Sequence, residues 1–65
     1  MEPSMSASTA SKIFASLPGV RAVREIQQDL QDDDCTVWSA EVWVDGVWYG
    51  ADFDEHYPEG AEIRW

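Results

Sequence analysis

The dipeptide Asp45-Gly46 constrains this chain more than any other feature. It sits between AEVWV and VWYGA, two runs of alternating apolar residues, and Asp-Gly in that setting marks a two-residue type I′ hairpin turn. Strand side chains alternate faces with a period of two, so the turn fixes the register of everything beside it. Val44 then faces Val47, Trp43 faces Trp48, Val42 faces Tyr49, Glu41 faces Gly50, Ala40 faces Ala51, Ser39 faces Asp52 and Trp38 faces Phe53.

Two unlike faces follow. Trp38, Ala40, Val42, Val44, Val47, Tyr49, Ala51 and Phe53 share one, which is almost wholly apolar and is the expected core. Ser39, Glu41, Trp43, Trp48 and Asp52 share the other, with Gly50 leaving a gap in front of Glu41. A Trp43/Trp48 cross-strand pair adds roughly 0.2–1 kcal/mol to a hairpin. Exposed aromatics within a polar rim also mark interaction surfaces.

A lone hairpin is marginal in water, so it needs further elements to pack on. From Ser8, with Ser and Thr able to cap, Ala10, Ile13, Phe14 and Leu17 recur at helical spacing. Pro18-Gly19 ends that helix. Residues 20–31, VRAVREIQQDLQ, fit two descriptions. Val20, Val23, Ile26 and Leu30, with an Arg21/Glu25 pair, suit a helix. A partly apolar run directly after LPGV suits a third strand.

The strand is the favoured assignment. The expected fold is α+β: an N-terminal helix packed on a three-stranded antiparallel sheet, the alternative being two helices followed by a β-hairpin. One domain covers residues 1–65, with the Ser/Pro/Ala-rich residues 1–7 flexible. The tail HYPEGAEIRW is expected to wrap the sheet edge and return Ile63 and Trp65 to the core.

Composition then excludes function classes. With 45% apolar residues and four Trp, the chain is too hydrophobic for an acidic disordered tail despite its formal charge of −9. Cys35 is the one cysteine, so neither an internal disulfide nor a Cys-based zinc site is expected. Glu2 stands where a signal peptide wants positive charge, and no apolar run approaches the roughly 20 residues of a membrane span. A cytoplasmic protein is the expectation.

Catalysis has little to stand on. His56 is the only histidine, and no motif sets a Ser or Cys nucleophile beside it. Cys35 follows three aspartates, which disfavour its thiolate. Asp52, Asp54 and His56 imitate the start of a calcium loop, but the sixth position is Tyr57 and the twelfth Ile63, where Gly and Glu are required. No enzyme, no cofactor and no specific metal are expected.

Charge distribution carries the functional argument. Lys12, Arg21, Arg24 and Arg64 all lie outside the span 25–63, whereas twelve of the thirteen acids lie inside it. Direct binding of nucleic acid, which needs Lys and Arg against phosphate, is disfavoured, as is an anionic membrane. The partner favoured by electrostatics is a basic protein surface, above all one that holds DNA or RNA. Carboxylates can occupy arginine sites that otherwise take phosphates, because the same bidentate fork serves both.

The candidate binding acids are Asp32, Asp33, Asp34, Glu41, Asp52, Asp54, Glu55 and Glu59, with Glu62 beyond them and Trp43 and Trp48 as the aromatic candidates. The competing account is a non-enzymatic interaction module, antitoxin-like or regulatory, binding through the Trp43/Trp48 face.

A short chain with one helix ending in LPGV, a Trp-rich hairpin at VWVDGVWYG and acidic blocks at DDD and DFDE resembles the small phage-encoded anti-CRISPR proteins, above all inhibitors of type I surveillance complexes. The resemblance lies in size, charge and layout. It implies a monomeric or small oligomeric protein, with a monomer expected here, made in an infected bacterium, that binds a Cas subunit and blocks recognition of target DNA. Several members of that group are described as DNA mimics.

Overall fold

A computed structural model describes residues 5–32 and 35–65. Its elements run α1 (Ala7–Ala15), β1 (Ala22–Asp32), β2 (Cys35–Val44), β3 (Val47–Asp54), a 3-10 turn (Pro58–Gly60) and β4 (Glu62–Arg64). The sheet is antiparallel in the order β1-β2-β3-β4. The fold is thus α+β, with one more strand than the expected three: HYPEGAEIRW does reach the sheet edge, but pairs there as β4. Among the described residues no helix is long and apolar enough to cross a membrane.

The helix starts at Ala7, one residue before the expected Ser8. Ser6 is its N-cap, and its hydroxyl accepts from the Thr9 N–H at 3.2 Å. At the other end the Ser16 hydroxyl donates to the Ile13 carbonyl at 2.8 Å. Pro18 cannot continue the helix, and Gly19 adopts φ 83, a left-handed conformation that costs glycine nothing. The chain then turns into β1 at the edge of the sheet.

Ala10 and Phe14, one helical turn apart, are fully buried against the sheet. There they meet Trp38, Ala40, Val42, Val44, Ala51 and Phe53, the face that the Asp45-Gly46 turn selects. The Phe14 and Phe53 rings lie 5.0 Å apart in a tilted pair. Burying a side chain such as Phe14 or Val42 contributes roughly 1.5–3 kcal/mol. Val47, expected on this face, is 48% exposed, because it stands beside the turn with little above it.

The two hairpins differ in regularity. From Val44↔Val47 to Val37↔Asp54, β2 and β3 pair without a shift. Asp45 and Gly46 both have positive φ, 50 and 85, as a type I′ turn requires. Between β1 and β2 the register slips twice. Arg24 lies opposite Glu41 and Gln27 opposite Ser39, so Glu25 and Ile26 together face Ala40, and Glu25 takes φ 58. This is a β-bulge.

The bulge reverses the alternation. Three residues apart on a regular strand means opposite faces, yet Val23 and Ile26 both pack on the core. Arg24, between them, turns outward to Glu41. The helix-like spacing of Val20, Val23 and Ile26 is therefore a bulged strand in disguise.

Candidate functional site

The helix covers one face of the sheet and leaves the other open among the described residues. Rows of that open face follow from the register: Ala22, Trp43 and Trp48; then Arg24, Glu41, Gly50 and Arg64; then Gln27, Ser39, Asp52 and Glu62. Trp43 is 36% exposed. Trp48 is half-buried, because the Arg24 guanidinium lies 3.8 Å from its ring centroid. Such a cation–π contact covers the indole without removing the charge from water.

The same guanidinium holds Glu41, with Nε 2.7 Å from Oε1. Across the Gly50 gap, Arg64 grips Asp52 bidentately, Nη2 to Oδ1 at 2.9 Å and Nε to Oδ2 at 3.2 Å. Hydrogen bonding to Asp52 and then attraction to the same carboxylate raise the Arg64 pKa above its ordinary value. Both pairs are solvent-exposed and add little to stability.

These contacts correct the expectation that the acids of this face stand without cations. Arg24 and Arg64 flank the acidic span in sequence, but the bulge and β4 carry them onto the face that holds Glu41 and Asp52. A carboxylate already gripped by arginine is a poor phosphate substitute for a second one. Arg24 could not be placed from sequence, since its face depends on the bulge. Arg64 could have been, because EIR alternates about an inward Ile63 once β4 is recognised.

Asp54 and Glu55 serve the fold. Asp54 Oδ1 accepts from the His56 N–H at 2.8 Å, an Asx turn that redirects the chain after β3. Glu55 Oε2 accepts from the Trp38 indole N–H at 2.9 Å and from Gln28 Nε2 at 3.5 Å, while its Oε1 accepts from the Met5 N–H at 3.4 Å. A buried indole N–H needs such an acceptor. The signal for Glu55 was thus the presence of Trp38 on the core face.

The remaining candidates are scattered. Glu59 is exposed on the 3-10 turn, and Asp32 ends β1. Asp33 and Asp34 lie outside the described residues. Trp65, expected in the core, is 77% exposed, with its ring edge-on to that of Tyr49 at 4.9 Å between centroids, while Ile63 does pack on the core.

A shallow hollow of about 330 Å³ lies at the bulge, lined by Glu25, Gln27, Ser39, Ala40 and Glu41. It exists because Ser39 and Ala40 are small where the extra residue widens β1 from β2. Among the described residues no three acids, histidines or cysteines gather in a way that could hold a metal ion. Compared with known proteins, the chain matches no family model, no curated protein and no solved structure.

Proposed function

We propose that this chain is an acidic, non-enzymatic inhibitor that docks on a basic, nucleic-acid-holding protein surface and blocks it. The partner class is a Cas subunit of a type I surveillance complex, as in the anti-CRISPR proteins that its size and layout resemble, and the setting is the bacterial host cytoplasm. One observation supports this reading most. Two of the four cations are committed to Glu41 and Asp52, so each pair removes one charge of either sign and the full surplus of −9 rests on the rest of the molecule.

In sequence the longest run of acids is Asp32, Asp33 and Asp34, which begins on the last residue of β1. The molecule measures 40 × 19 × 18 Å, an elongated shape suited to entering a groove. Mimicry therefore centres on Asp32–Asp34, with Glu59 and Glu62 secondary, rather than on Glu41 and Asp52.

The test is target-DNA binding by a purified type I surveillance complex with the chain added, across a salt titration. Inhibition should weaken steeply as salt rises. Reversal of Asp32, Asp33 and Asp34 to Lys should abolish it while the circular-dichroism melt stays cooperative. Inhibition indifferent to both changes would sink the charge mechanism.

A second reading rests on Trp43, exposed on the helix-free face. If that face binds, Trp43→Ala and Trp48→Ala remove most of the affinity and salt has little effect.

A further inference from the structure

The edge strand β4 carries a pattern that the inhibitor reading does not use. Glu62 and Arg64 are exposed on the open face of the sheet, while Ala61, Ile63 and Trp65 point to the helix side. There, with Leu17 and Pro18, they line a groove of about 290 Å³ rimmed by Glu62. Trp65 is the most exposed large apolar side chain among the described residues. No described strand covers the outer edge of β4, so alternate N–H and C=O groups along it lack a sheet partner.

We propose that a second copy of this chain occupies this edge, β4 against β4, antiparallel about a two-fold axis through Ile63. The sequence around Ile63 is self-complementary in that register. Glu62 lies opposite Arg64 of the second copy, and Arg64 opposite its Glu62, so each Arg64, held by Asp52 through Nε and Nη2, turns its remaining Nη1 edge to a second carboxylate across the strands on the open face. On the helix side Ala61 lies opposite Trp65 of the second copy, which places that indole at the Leu17/Pro18/Ala61 groove. Each copy gives one tryptophan and receives one.

Neighbouring registers are worse. A slip of two residues either way sets Arg64 against Arg64 or Glu62 against Glu62, and moves both tryptophans away from Ala61. A slip of one sends Ile63 toward the open face. The surviving arrangement joins two four-stranded sheets into one continuous sheet and closes an edge that would otherwise template open-ended pairing.

Each copy carries −9, so the copies repel at long range, and β4 itself brings one acid, Glu62, and one cation, Arg64, to the contact. Added salt screens the long-range term beyond about 8–10 Å and leaves the close pairs and the apolar insertion less affected. Dimerisation therefore strengthens from low to moderate salt. Inhibitor binding changes in the opposite direction, so failure of one proposal is distinguishable from failure of the other.

Sedimentation equilibrium of the intact chain tests the idea. A monomer–dimer equilibrium that shifts toward dimer with salt is expected. Glu62→Arg and Arg64→Glu should each be monomeric alone, since each sets like charges opposite one another, whereas an equimolar mixture of the two should recover the dimer. Trp65→Ala, at a side chain 77% exposed, should keep its circular-dichroism melt and lose at least tenfold in dimer affinity. A chain that stays monomeric at every salt and concentration, a mixture that stays monomeric, or a dimer indifferent to Trp65→Ala would each overturn the proposal.

Discussion

The two hairpins of this molecule share strand β2 and differ in almost everything else. The β2–β3 hairpin holds its register from the turn to Asp54. The β1–β2 hairpin slips at Glu25–Ile26 and again near Leu30. The first is set by local chemistry, because Asp45-Gly46 supplies the two positive φ values that its turn demands. The second is set from a distance. Glu25 accepts φ 58, unfavourable for a residue with a side chain, so that Val23 and Ile26 can both reach the core under helix α1.

Trp38 is where the contrast should collapse. It lies opposite Phe53 in one hairpin and Gln28 in the other, is 4% exposed, and is held by Glu55. Trp38→Ala should cost about 3–5 kcal/mol, as much as the whole core of a domain this small supplies. Both hairpins should be lost together in a urea titration followed by circular dichroism. If the regular hairpin survives alone, the two are separate folding units and the shared-strand account fails.

Gly46→Ala acts on the regular hairpin. A side chain at φ 85 costs about 1–2 kcal/mol, and amide exchange should quicken across β2–β3 before it does elsewhere. An unchanged urea midpoint would mean that the strands, and not the turn, fix the register.

Glu25→Gly sharpens the other side and has the smallest effect. It relieves the left-handed conformation but adds backbone entropy to the unfolded chain, leaving a net stabilisation of about 0.5 kcal/mol. The urea midpoint should rise. A fall would show that the Glu25 side chain, at the mouth of the hollow beside Ser39, contributes a stabilising contact of its own.

Legibility follows the same division. The β2–β3 register, the apolar core face, the outward Trp43 and Trp48, and a helix stopped by Pro18-Gly19 all rest on neighbours within a few residues. The bulged β1 did not read cleanly, because a single inserted residue turns a strand period into a helical one over Val20, Val23 and Ile26. β4 was anticipated as a wrapping tail, since three residues carry too short a pattern to declare a strand without the β3 edge beside them.

The candidate site shows the limit most plainly. From sequence, Glu41 and Asp52 stood in a span with no Lys or Arg, and their charge asked for a basic partner. Tertiary structure brings Arg24 to one and Arg64 to the other. Sequence position and spatial position part company wherever strands far apart in the chain become neighbours in the sheet.

What the sequence determined by itself is the charge surplus, the hairpin with its two faces and the identity of most of the core, because composition, turn chemistry and side-chain alternation are local properties. What only the tertiary structure decided is which charges are answered. Ion pairing depends on separations of a few ångströms across strands, and those were set by a bulge and a three-residue edge strand whose formation is driven by burial of Val23, Ile26 and Ile63.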